Sequence, residues 1–185
     1  MNTTTLLWLF PIFFMIHEFE EIVFVKPWTT HHQKDPGVAN EMFMRNASIR
    51  RISTATLALL IGEEFLIMVG LTAIAVHWQL YALFIGLLIA YSVHLIVHLG
   101  EMVYFRRYIP GTVTALLTLP PLFYIYDYVV VHALHTTIIK NIVSGEQTTL
   151  WAIGLGVLLI LNLSWLYKIS TSVQRALHIG NRENA

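Results

Sequence analysis

Five apolar runs divide the chain, at about 6–25, 52–76, 80–105, 112–134 and 149–169, each near the roughly 20 residues a helix needs to cross a bilayer. The pattern predicts an all-α fold, a polytopic membrane helix bundle of five transmembrane helices forming one membrane domain over residues 1–185. Only the first connection, 26–51, is long. It holds Pro27, Trp28, His31, His32 and the turn Asp35-Pro36-Gly37, then an amphipathic stretch around 39–49 that reads as an interfacial helix. His77-Trp78-Gln79 and Tyr108-Ile109-Pro110-Gly111 read as tight turns, and 140–147 links the last two runs. Pro120-Pro121 predicts a kink or freed carbonyls in the fourth run. No basic residue precedes the first run, so it reads as a retained helix rather than a cleaved signal.

Composition agrees with a membrane domain. The chain is 56% hydrophobic and 12% charged, with mean hydropathy +0.65, and a soluble domain carries about twice that charged fraction. A formal net charge of zero gives no sign of a nucleic-acid partner. The absence of cysteine excludes disulfides and thiolate metal sites together. Of the 11 Lys and Arg, all but Lys140 fall in 26–51, beside Arg106 and Arg107, or in the C-terminal segment with Lys168, Arg175 and Arg182. That asymmetry predicts an outside N-terminus, a cytoplasmic 26–51 loop and a cytoplasmic C-terminus.

Carboxylates interrupt these runs without Lys or Arg to pair with them. Glu18, Glu20, Glu21, Glu63, Glu64, Glu101 and Asp127 lie within the spans, accompanied by His17, His94, His98, His132 and His135. An ionised group at the bilayer centre costs about 3 kcal/mol even on the lenient insertion scale, so something must compensate. On helical geometry His17, Glu20 and Glu21 share an arc of about 100°, with Glu18 at its margin, and His94, His98 and Glu101 share one narrow face. Gly62, before Glu63-Glu64, would admit a neighbouring helix closely.

Depth links the three runs. Counting inward from Lys26, Arg51 and Arg106 at about 1.5 Å per residue puts His17, Glu20 and Glu21 roughly 8–14 Å deep. His94, His98 and Glu101 lie roughly 8–18 Å deep, and Glu63-Glu64 roughly 18–20 Å. Asp127, His132 and His135 fall toward the opposite face and read as an outer polar group. His17, Glu20, Glu21, Glu63, Glu64, His94, His98 and Glu101 are therefore the candidate metal ligands, with Glu64 and Tyr91 as candidate catalytic residues. Imidazoles with several carboxylates make up the ligand set of di-iron and di-manganese bundles. Oxygen-rich ligands without sulfur favour two divalent ions, iron first, with zinc or manganese also compatible. Two other readings of the cluster are hydrogen bonding between helices and a proton or cation path.

The string Ile16-His17-Glu18-Phe19-Glu20-Glu21 resembles the signature of the HXXEE-motif family of small, mostly bacterial, integral membrane proteins, matching it at His17, Glu20 and Glu21. The resemblance implies a multi-pass protein of the bacterial inner (plasma) membrane in which those three residues matter, and it implies no reaction.

The residues themselves point to a membrane-embedded di-metal enzyme acting on a lipidic or apolar small-molecule substrate, an oxidoreductase in the di-iron version. An intramembrane zinc-dependent hydrolase, with Glu64 as general base, is the first alternative. A proton- or cation-conducting transporter is the second, although no internal repeat is visible.

Overall fold

A computed structural model of the chain describes residues 2–133, together with Leu150, Ile153 and Gly154. Helices dominate, and there is no strand among the described residues. In chain order they are α1 (Thr3–His31), a 3-10 turn (Pro36–Val38), α2 (Met42–Arg45), α3 (Ala47–Arg51), α4 (Thr54–His77), α5 (Tyr81–Phe105) and α6 (Thr112–Ala133). The expected fifth span, 149–169, lies outside the described residues.

Local chemistry sets the helix ends. Asn2 caps α1 by accepting the Thr5 N–H at 2.8 Å, and Ser53 caps α4 by accepting the Thr56 N–H at 3.1 Å. Gln79 (φ 54°) turns the chain between α4 and α5, and Arg106 (φ 52°) ends α5 in the left-handed region. α1 continues past its expected end near Val25 to His31, with Pro27 inside it. Pro27 removes one N–H, yet the last turn holds: the Thr29 and Thr30 hydroxyls donate to the Val25 and Lys26 carbonyls at 2.8 Å, and the His32 N–H donates to the Trp28 carbonyl. α6 likewise runs on through Pro120 and Pro121 as one helix. The amphipathic stretch at 39–49 forms two short helices, α2 and α3, and Val38, Glu41, Phe43 and Met44 of this segment are buried.

α4, α5 and residues Thr112–Val131 of α6 are long and apolar enough to cross a membrane. α1 has the length, but its acidic string sets it apart from those three. α1 packs chiefly against α4 and α6, and α5 against α6, leaving a looser seam between α4 and α5.

Two apolar clusters fill the bundle. One gathers Leu6, Phe10 and Phe14 of α1 with Phe84, Leu88, Tyr91 and Leu95 of α5 and Leu122 and Ile125 of α6. Its aromatic rings meet edge-on, Phe10 to Tyr91 at 5.6 Å and Phe10 to Phe84 at 5.8 Å between centroids. The other gathers Val25, Trp28, Val38, Phe43, Met44, Leu57, Leu60, Ile61 and Ile109 at the end that carries α2 and α3. The polar residues of α1 and α5 lie between them.

Candidate metal centre

Four side chains from two helices converge in that layer. Their ligand atoms, one each from His17, Glu21, His94 and His98, all lie within 4.8 Å of one another, and the group could hold a metal ion. His17 Nε2 and His94 Nε2 are 3.2 Å apart, as are His94 Nε2 and His98 Nε2. Glu21 Oε1 stands 2.9 Å from His98 Nε2, 3.6 Å from His17 Nε2 and 3.7 Å from His94 Nε2. Helical spacing explains the convergence: His17 and Glu21 are one turn apart on α1, as are His94 and His98 on α5.

Hydrogen bonding alone leaves this cluster frustrated. Each Nε2 carries either one N–H or one lone pair, so it can make one good hydrogen bond. His94 Nε2 nevertheless faces two other imidazole nitrogens at 3.2 Å. A cation at the centre satisfies all the lone pairs at once. Ligands about 2.0–2.1 Å from a tetrahedral ion would stand about 3.3–3.4 Å apart. Five of the six separations, 2.9 to 3.7 Å, straddle that value, and the sixth, between His17 and His98, lies within 4.8 Å.

The site is closed on most sides. His17 and His98 are fully buried and Glu21 is 6% exposed, whereas the His94 side chain is 40% exposed. Tyr91 stacks on His94 at 6.0 Å from the side of the aromatic cluster, and its hydroxyl lies 3.5 Å from the Phe14 carbonyl. Phe43 of α2 covers the other side, 5.8 Å from His98. The α5–α6 turn makes a third wall. A Cβ on Gly111 would meet both the His98 and His17 rings.

The remaining candidate ligands stand elsewhere. Glu20 turns toward the start of α6. Its Oε1 accepts from the Tyr108 hydroxyl at 2.8 Å and the Val113 N–H at 3.4 Å; its Oε2 accepts the Thr114 N–H at 2.7 Å and the Thr114 hydroxyl at 2.5 Å. First-turn N–H groups have no partner inside their own helix, so a carboxylate is favoured there. Burial and the Glu20 charge together hold the Tyr108 hydroxyl above its usual pKa, hence protonated and donating. Glu101 is likewise engaged away from the group, accepting the Met42 N–H at the start of α2 at 3.1 Å.

Glu18, expected at the margin, is buried with Oε1 3.9 Å from His94 Nε2. Glu64 of α4 is half-buried and close enough to Glu18 and Glu21 to interact with their charges. Glu63 is half-buried on α4 and lies outside the four-residue group. Gly62 has no heavy atom within 4 Å of where a Cβ would stand, so no helix among the described residues approaches it as expected. Asp127 is exposed on α6; the His132 side chain and all of His135 lie outside the described residues.

Sequence reading passed over Thr114, Tyr108, Gly111 and Phe43. Three of them belong to the Tyr108–Thr114 stretch, whose Pro-Gly turn leading into a helix with a hydroxyl in its first turn was the available signal.

Fold and site together define an α-helical bundle with membrane-length apolar helices and a buried histidine–carboxylate group able to hold a metal. The chain belongs to the family described as proteins of unknown function with an HXXEE motif, which it matches over residues 8–126. That span contains His17, Glu20 and Glu21 of the motif and also His94 and His98. No curated protein and no solved structure matches the chain.

Proposed function

We propose that this protein is a membrane-embedded, metal-dependent hydrolase that binds one divalent ion through His17, Glu21, His94 and His98 and acts on a lipidic or apolar substrate. The observation carrying this reading is the convergence of three Nε2 atoms and one carboxylate oxygen within 4.8 Å of one another between two apolar clusters. Three nitrogens and one oxygen suit zinc better than the oxygen-rich set of a di-iron centre. Two of the carboxylates expected to hold a second ion are committed elsewhere, Glu20 to the start of α6 and Glu101 to the start of α2.

A zinc ion held by His17, Glu21, His94 and His98 would supply Lewis acidity, and it would activate a water by expanding to five ligands, because four protein groups already fill a tetrahedral shell. The protein provides the rest. Tyr91 and Phe43 shut the site from both ends, which strengthens every charge interaction inside it. Glu64, beside Glu18 and Glu21 yet outside the ligand group, is placed to accept a proton as general base. Access runs past the partly exposed His94, where exposed Val93 and Val97 of α5 flank it. In a bilayer that surface meets lipid, which favours an apolar substrate arriving sideways.

Conduction of protons or cations has less support, because Phe10, Phe14, Tyr91 and Leu95 close the layer on one side with apolar groups. Metal analysis of the protein purified in detergent, together with hydrolysis assays on lipid esters and amides, tests the proposal. One zinc per chain, with hydrolysis abolished by Glu64→Gln at full metal content, is the expected result. Two iron atoms per chain would return the site to the oxidoreductase reading, and a metal-free active protein would favour the proton path.

A further inference from the structure

The motif's three residues leave α1 in different directions. His17 and Glu21 face α5, whereas Glu20 faces α6 and meets Thr114. Thr114 Oγ1 touches both Glu20 and His17: it lies 2.5 Å from Glu20 Oε2 and 3.1 Å from His17 Nδ1.

Donor arithmetic orders this chain. A threonine hydroxyl has one hydrogen, and an ionised carboxylate only accepts. The hydrogen therefore goes to Glu20, with which Thr114 makes its shortest contact. Longer approaches of Oγ1 to the Gly111 and His17 carbonyls, 3.3 and 3.5 Å, compete poorly. What Thr114 offers His17 is then a lone pair, so His17 Nδ1 must be the protonated nitrogen. In the neutral ring this leaves the Nε2 lone pair bare, aimed at Glu21, His94 and His98.

Glu20 is itself held in place. Tyr108 donates to it, and Tyr108 is fixed by the Trp28 Nε1–H, which donates to its carbonyl at 3.1 Å, and by Phe24, whose ring lies 6.4 Å away edge-on.

We propose that Glu20 and Thr114 are the positioning residues of the metal centre, a carboxylate–hydroxyl–imidazole relay that selects the Nδ1–H form of His17 and fixes its ring. The motif then divides by role: His17 and Glu21 bind, and Glu20 orients. The relay also ties the start of α6 to the ligand set, so the turn that packs Gly111 on His98 and the hydroxyl that steers His17 belong to one rigid unit. The use of the relay rests on the metal reading; the tautomer it imposes does not.

The test uses full-length protein in detergent with 15N-labelled histidine, the His17 signals being assigned by their loss in His17→Asn. In metal-free wild-type protein, His17 is expected to be protonated on Nδ1 and bare on Nε2. Thr114→Val keeps the shape of the side chain and removes the hydroxyl. It should mix the His17 tautomers and weaken zinc binding by roughly 10–100-fold, the usual cost of losing such an outer partner. Thr114→Ser should restore both, and thermal unfolding of the metal-free forms monitors folding separately. Wild-type His17 protonated on Nε2 would overturn the relay, as would Thr114→Val with unchanged tautomer and affinity. Serine failing as badly as valine would reduce Thr114 to a space-filler and overturn it too. A wild-type protein that binds no zinc would remove the metal reading alone, while the tautomer measurement still decides the relay.

Discussion

The Cβ that Gly111 lacks would stand 2.8 Å from Cε1 and Nδ1 of His98. The same position lies 3.1 Å from Cε1 of His17, and Gly111 adopts φ +89°, where side chains other than glycine's hydrogen are strained. Backbone and ligand rings are thus in direct contact. Gly111→Ala is expected to destabilise the fold by on the order of 1–3 kcal/mol from the backbone alone. It should also displace the imidazoles and lower metal affinity. Thermal unfolding with and without added zinc checks this; an alanine variant with wild-type melting and full metal content would contradict it.

A second acid pair lies at the end of the bundle that carries α2 and α3. Glu41 is fully buried, its Oε2 accepts the Met44 N–H at 2.8 Å, and Glu101 lies beside it. Burial, reinforced by the Glu101 charge, pushes Glu41 up from 4.5 to about 7. The folded state therefore holds this proton more tightly than the unfolded chain does. Its contribution to stability is fully present below about 4.5 and is lost as pH rises to about 7. The loss is on the order of a few kcal/mol. Unfolding measured at about pH 5 and about pH 8 should show this decline in the wild type and a flatter profile in Glu41→Gln. Equal slopes in the two proteins would refute it.

Much of the architecture was legible because helices long and apolar enough to cross a membrane announce themselves in the sequence, as 52–76, 80–105 and 112–134 do against α4, α5 and α6. Helical periodicity also carried the pairing of His17 with Glu21 and of His94 with His98. What periodicity and depth could not supply was rotation between helices. Glu20 and Glu21 differ by one residue and about 100° of azimuth, which sends one carboxylate to α6 and the other to the imidazoles. Glu101 shares a face with His98, yet the folded-in 36–45 segment captures it through the Met42 N–H. Nothing local in the amphipathic pattern of that segment records that Phe43 finds a buried partner in His98.

Orientation in the membrane follows from charge. Lys26, Lys34, Arg45, Arg50, Arg51, Arg106 and Arg107 gather at one end of the bundle, where Arg107 also meets Asp35 in an exposed ion pair. That end should face the cytoplasm. The chain has no cysteine, so Gln33→Cys, in an exposed stretch just after α1, introduces a unique thiol. It should react with an impermeant maleimide only after the cells are permeabilised. Labelling in intact cells would invert the topology and with it the direction from which the site is reached.

Isosteric amides separate ligands from bystanders, because a divalent ion needs the carboxylate's charge as well as its shape. Glu21→Gln should cost at least about 100-fold in zinc affinity, and alanine at His17, His94 or His98 should do the same, each removing one of four converging atoms. Glu20→Gln should weaken binding less, by roughly 10–100-fold, since it acts through Thr114. Glu63→Gln and Glu101→Gln should leave zinc bound. The Glu101 variant should lose about 1 kcal/mol of stability through a weaker acceptor for the Met42 N–H. Asp127→Asn, at an exposed position on α6, should change stability by no more than about 0.5 kcal/mol. Metal content of the purified variants reads all of these together. Loss of metal in Glu63→Gln or Glu101→Gln would mean that these carboxylates reach the ion in the membrane. The single-ion site would then give way to a dinuclear one drawing on α4 as well as α1 and α5.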